Sequence, residues 1–220
     1  MKFHRAPKGF TLIELLVVIS IIAVLASLAV PAVTSALVKG QLIQAVNNCR
    51  QIHLATISMA TDGSTNSDTN LGWPGDLVDN TATSKVTGLS TFVNQLVKYD
   101  YLKAGDLKVF ATAGITAYTV TSGSGVTSAG DLSTAFTVTN SAFKVYQVHD
   151  TDDSTTLFMC TKNYDASSKA ITSGTAKPFG DKGFVVCRKG GDSSVYKRQQ
   201  QANTGSVLFK DPAPTVLPDN

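Results

Sequence analysis

The stretch KGFTLIELLVVISIIAVLASLAVP, Lys8–Pro31, decides how the rest of the chain is read. From Phe10 to Val30 it is apolar except for a few hydroxyls and one carboxylate, Glu14. Roughly 18 or more apolar residues suffice for a membrane-spanning helix, whereas the core of a secretory signal runs to about 7–15. An acid inside such a segment is costly and persists only where something offsets it. No Lys or Arg lies between Phe10 and Val38, so the helix offers Glu14 no cation. Cleavage just before Phe10 would create an α-amino group one turn away. That cation could pair with the Glu14 of a neighbouring helix, making the acid an assembly lock between subunits.

Outward from this stretch, residues 1–9 form a short basic leader carrying Lys2, Arg5 and Lys8. The chain of 220 residues has a formal net charge of +3, so loss of those three cations leaves zero. A mature chain without net charge gives no global reason to bind nucleic acid. Basic residues flanking a membrane segment stay on the cytoplasmic side, which sends everything after Pro31 outside the cytoplasm. Beyond Pro31, Val38, Leu42, Ala45, Cys49, Ile52, Ala55 and Met59 recur three or four residues apart. That spacing predicts one apolar stripe on an amphipathic helix. Cys49 falls on the stripe and reads as a small core residue. The polar cluster TDGSTNSDTN, Thr61–Asn70, predicts a loop.

The boundary residues now carry a resemblance. GFTLIELLVVISIIAVLASLAVP is similar to the N-terminus of the type IV pilin superfamily, which includes the pseudopilins of type II secretion systems. The resemblance implies that a prepilin peptidase cuts between Gly9 and Phe10 and methylates the new terminus at Phe10. It implies that Thr11 lies just inside, that Glu14 is the assembly glutamate, and that Pro31 falls where the long helix bends or melts on packing. NNCRQIHLATISMATDG resembles the helix end of large pseudopilins. The acidic calcium loop of the short major pseudopilins does not map onto this C-terminus.

The remainder reads as one α+β domain over 62–210, with the amphipathic half-helix at 31–61 and a loose tail at 211–220. STFVNQLVKY predicts a short helix capped by Ser90. ITAYTVT, TAFTVT, TTLFMCTKNY, KGFVVCRKG, SVYKRQ and SVLFK predict strands, and AFKVYQVHD, ambiguous between helix and strand, tilts to strand on its β-branched and aromatic content. Cys160 and Cys187 fall in two of these runs and are the plausible disulfide pair of an oxidising compartment. Asp150, Asp152 and Asp153 in HDTDDST are oxygen ligands of the kind calcium uses, though acidic turns between strands are usually only solvated. Arg188, Lys189, Lys197 and Arg198 around Tyr196 could touch DNA, but a solvated hairpin fits the neutral chain better. GLSTF and GDSSV lack the closing glycine of a nucleophile elbow, and His4, His53 and His149 have no metal-ligand spacing.

The expectation is therefore a long N-terminal helix packed on a mainly antiparallel sheet, with no enzymatic activity and no obligatory cofactor. The resemblance implies a pseudopilin subunit of a type II secretion system, held in the bacterial inner membrane with its C-terminal domain in the periplasm. Its partners would be the prepilin peptidase, other pseudopilin subunits and the secretion assembly platform, with no nucleic acid. The alternatives are a type IV pilus subunit for adhesion, motility or DNA uptake, and a free domain released by signal peptidase at small residues such as Ala26 or Ala36.

Overall fold

The computed structural model describes residues 11–80, 86–119, 136–172, 178–197 and 215–218. The chain divides into two compact units, 1–40 and 41–220. Helix α1, Leu12–Asn66, contributes to both and is assigned without a break across Pro31. In the single chain the helical assignment thus continues through Pro31. A proline there removes one N–H, which leaves the Ser27 carbonyl without its usual donor.

In the second unit α1 buries Leu42, Ala45, Cys49, Ile52, Ala55 and Met59, the stripe expected from the spacing, while Val38 is only half-buried. Complete burial of a side chain such as Ile52 contributes about 1.5–3 kcal/mol, so this face holds the domain together. Polar residues join the stripe where they find partners. Asn48 Nδ2 donates to the Ala111 carbonyl at 3.0 Å, and His53 Nε2 lies 2.7 Å from the Lys189 carbonyl.

The helix runs past Thr61, where a loop was expected, and stops at Asn66. Gly63 acts as a packing residue here, not as a breaker: a Cβ on it would stand 2.2 Å from the Leu71 carbonyl oxygen. The end is instead set by Ser67, whose φ of 53° is left-handed. Asp68 N–H then bonds back to the Gly63 carbonyl at 3.0 Å, the long bond of a Schellman cap.

Two short helices follow, α2 (Pro74–Asp79) and α3 (Leu89–Lys98). Gly88 precedes α3, and the Thr91 hydroxyl accepts from the Thr87 and Gly88 N–H groups at 3.0 Å each. The cap therefore lies at Gly88; Ser90, expected to cap, is buried within the first turn.

The main sheet has the order β1-β2-β5-β6, all antiparallel, from β1 (Phe143–Val145), β2 (Leu157–Thr161), β5 (Phe184–Arg188) and β6 (Ser193–Tyr196). A separate hairpin pairs β3 (Tyr164–Asp165) with β4 (Ala170–Ile171). The register of β2 shifts between Leu157 and Met159. Phe158, at that irregularity, meets Trp73 and His53 edge-on at 5.6 and 5.9 Å. AFKVYQVHD thus contributes β1, as its composition suggested.

Three expectations change. TAFTVT contains a 3-10 turn at Val138–Asn140, because Asn140 Oδ1 accepts from the Thr137 N–H and hydroxyl at 3.1 and 3.0 Å and curls the backbone. Ile115–Tyr118 is likewise irregular, with Ile115 N–H turned back to the Thr112 carbonyl. The tail is docked at Thr215–Pro218: Tyr146 bridges Val216, Leu217 N–H donates to the Val145 carbonyl at 2.8 Å, and Leu217 is buried. SVLFK lies outside the described residues.

Candidate functional site: the apolar helix and its acidic end

In the first unit every large apolar side chain described from Leu12 to Leu37 is exposed, Leu12 at 82% and Val18 still at 48%. A helix apolar on all sides seeks either lipid or the core of an assembly. It is long and apolar enough to cross a membrane. Three of its hydroxyls are satisfied within the helix: Ser20, Ser27 and Thr34 donate to the Val17, Val24 and Pro31 carbonyls at 2.7, 2.7 and 2.9 Å. Side-chain donors turned back onto the backbone leave the surface effectively apolar.

Glu14 sits in the first turn, and Thr11 directly precedes the helix. Glu14 Oε2 accepts from the Thr11 N–H at 2.9 Å and from the Thr11 hydroxyl at 2.7 Å, while Glu14 N–H lies 3.3 Å from the same hydroxyl. This is a reciprocal capping box, in which the acid also faces the positive end of the helix dipole. Thr11-Leu-Ile-Glu14 spells the Thr-x-x-Glu signature of such a box, a signal independent of any cation partner. Glu14 therefore has a hydrogen-bonded resting place on its own helix. A subunit partner would compete with that box for the carboxylate and would not find it bare. Gly9 and Phe10, the residues expected to flank a cleavage, lie outside the described residues.

The other candidate residues are engaged in the second unit. The Lys189 ammonium donates to the Asp150 carbonyl and, at 2.8 Å, to the Asp152 carbonyl, while lying 5.4 Å over the Trp73 ring. Asp152 Oδ2 accepts from the His149 N–H at 2.8 Å, and Asp76 Oδ2 accepts from the Asp150 N–H at 3.0 Å. His149 Nε2 reaches Asp79 at 3.0 Å. The Asp153 carbonyl accepts from the Thr156 N–H. The loop is thus organised around an ammonium, and among the described residues no three acidic, His or Cys side chains converge as a metal site. Burial pushes the Asp76 carboxyl above its ordinary value despite the Asp150 N–H bond and the nearby His149, which act to lower it. Arg188 pairs with Asp192; with Lys189 turned inward, these two cations of the basic run are committed within the domain, and Arg198 lies outside the described residues.

The Cys160–Cys187 pair is excluded by register. Cys160 opposes Val186 and Met159 opposes Cys187, so the two cysteines project from opposite faces of the sheet. All three cysteines are buried free thiols.

Residues 4–30 match the prokaryotic N-terminal methylation motif. Two type IV major fimbrial proteins (FimA) of Dichelobacter nodosus are similar to this chain. The first is 29% identical over 111 residues, covering 49% of this chain and 71% of the relative. The second is 35% identical over 66 residues, covering 30% of this chain and 42% of the relative. No solved structure gives a significant match. The methylation motif, the fimbrial relatives and the long helix on an antiparallel sheet together support placing this chain in the type IV pilin superfamily.

Proposed function

We propose that the chain is a filament subunit, inserted as a single-pass precursor, cut between Gly9 and Phe10, methylated at Phe10, and assembled through Leu12–Leu37. The observation that carries this reading is the exposed apolar helix with one carboxylate at its N-terminal end. Lipid and a bundle of like helices are the two surroundings that suit such a surface, and a filament supplies the second when subunits leave the first. Lys2, Arg5 and Lys8 keep the leader cytoplasmic, so the 41–220 unit lies in the periplasm with the inner membrane as anchor. The prepilin peptidase, like subunits and a secretion assembly platform are the partners.

The filament we favour is the pseudopilus of a type II secretion system, on the resemblance of the helix end to large pseudopilins. A pilus subunit is the second reading, favoured by the fimbrial names of the two relatives. Intact mass and N-terminal sequencing from cells containing a prepilin peptidase test the processing step. A chain beginning at Phe10 and one methyl group heavier is the expected result; a start near Val30 or Leu37 defeats the proposal. Glu14→Ala should be processed normally yet fail to enter sheared or crosslinked filaments. Long surface fibres containing the chain would decide for the pilus, and short envelope-bound ones for the pseudopilus.

A further inference from the structure

We infer that Cys49 and Cys187 form a disulfide that ties α1 to β5, leaving Cys160 as the free thiol. For its oxidising surroundings the inference rests on the proposed export of the domain; for its pairing it rests on geometry alone.

Cys160 is committed to the other side of the sheet. Its Sγ lies 3.4 Å from the Tyr146 hydroxyl and 3.8 Å from the Tyr164 carbonyl. Tyr164 stacks on Phe184 at 4.0 Å, and Phe184 shares a face of β5 with Val186, the residue opposite Cys160. Cys187, one residue further along, projects to the opposite face.

Helix α1 lies against that opposite face, and two contacts fix its alignment with β5. Leu42 Cδ1 stands 3.3 Å from where a Cβ on Gly183 would be. Eleven residues on, the His53 ring stands 2.9 Å from the same position on Gly191, and His53 Nε2 is 2.7 Å from the Lys189 carbonyl. Cys49 lies roughly two thirds of the way from Leu42 to His53 at the even rise of a helix. Cys187 lies roughly two thirds of the way from Gly183 to Lys189 at the even rise of a strand. The two cysteines therefore fall at the same height in the helix–sheet contact, and both are completely buried. Arg50, the residue after Cys49, is close enough to act on the Cys187 thiol, and Cys49 feels Cys187 first and Cys160 after it.

The structure holds Cys49 and Cys187 as thiols, the reduced state of the inferred pair. In that state a closed core leaves them unreactive, because burial pushes Cys187 up to about 11 and Cys49 well above the ordinary thiol value. Bond formation therefore belongs to folding, before the stripe closes. A thiolate of one cysteine attacks the disulfide of an extracytoplasmic dithiol–disulfide oxidant and forms a mixed disulfide. The second cysteine then displaces the oxidant. The oxidant's S–S bond breaks, the two thiol protons and two electrons pass to it, it leaves as its dithiol, and one Sγ–Sγ bond forms.

The test uses the full chain purified in detergent from membranes without reductant, then denatured, alkylated with N-ethylmaleimide and weighed intact. One adduct is expected on the native sequence, none on Cys160→Ala, and two on either Cys49→Ala or Cys187→Ala. Reduction should lower the unfolding midpoint by on the order of 10 °C, since the bridge closes a very long loop, and should not move that of Cys49→Ala. The same purified chain is also refolded in a glutathione redox buffer. Three adducts after that refolding, or a disulfide peptide containing Cys160, would overturn the pairing. Three adducts from membranes but one after refolding would uphold the pairing and reject the oxidising compartment, and the N-terminal mass in the same spectrum reports processing independently.

Discussion

Ile22 and Ile52 are the same residue type in the same helix, yet one is 58% exposed and the other is completely buried. The difference lies in what surrounds each. Around Ile22 the sequence is apolar in every direction, so no face is preferred and none of the described residues covers it. Around Ile52 the stripe from Leu42 to Met59 is covered within the domain, while Gln44, Asn47, Arg50 and Gln51, and with them Ile43 and Leu54, are exposed. One continuous helix thus has an uncovered half and a half with one covered face.

The largest way to break this contrast is to place a charge at each isoleucine. Ile52→Asp should cost about 4 kcal/mol or more, because the carboxylate is buried without a partner, and protease resistance of the 41–220 unit should be lost. Ile22→Asp should leave that resistance intact and instead release the chain from carbonate-washed membranes. Equal loss of protease resistance in both variants would show that the two segments are not independent.

Next in size is Gly63→Ala. The added methyl meets the Leu71 backbone, which cannot swing aside as a flexible side chain would. A loss on the order of 2–3 kcal/mol is expected, read as a fall in the thermal midpoint of roughly 5–10 °C. Gly40→Ala, where nothing stands within 4 Å, should be neutral or slightly stabilising and serves as the control.

A smaller gain is expected from Ser67→Gly. The left-handed φ of 53° at the helix end suits glycine, and about 0.5 kcal/mol should remain after the greater freedom of the unfolded chain is counted. An unchanged or lower midpoint would mean that the cap does not limit the helix end.

The smallest effect concerns pH. The Tyr101 hydroxyl donates to Asp62 at 2.6 Å on the last turns of α1. Burial, followed by that bond and the carboxylate charge, pushes its pKa up to about 12 from an ordinary 10. The folded state therefore keeps a proton that the unfolded chain releases, and its contribution is present below pH 10 and lost as pH rises from about 10 to 12. Tyr101→Phe should flatten the stability profile across that window; identical slopes would remove the coupling.

These positions also mark how far the sequence could be read. The stripe from Leu42 to Met59 was legible because helical period and burial follow from spacing alone. Asp62-Gly63 was misread because a glycine looks the same whether it breaks a helix or admits a neighbouring backbone. Only the approach of Leu71, a tertiary fact, separates the two. Cys160 and Cys187 illustrate a different limit: strand content was visible, but a register shift of one residue turns a side chain through the sheet. The Thr11–Glu14 box is present as a four-residue signature, but a lone carboxylate in an apolar run points equally to an opposite charge, and only the Thr11 hydrogen bonds separate the two. The N-terminal motif was legible through its resemblance to the pilin superfamily, and residues 4–30 match the methylation motif.

The strand bridge at Val216 carries a consequence for the order of events during synthesis. The stripe on α1 finds its cover only when the strands between Phe143 and Tyr196 exist, and β1 gains its outer partner only when Thr215–Leu217 has emerged. Contacts so distant in sequence form late and slowly. On the proposed membrane insertion the chain would be anchored long before it is folded, and for that interval its apolar half-helix and open sheet edge would be available to anything nearby. Tethering at the membrane surface and dilution among few neighbours would then matter as much to yield as the final stability does. A truncation before Thr215 should be recovered mainly as aggregate even though every strand of the main sheet is still present.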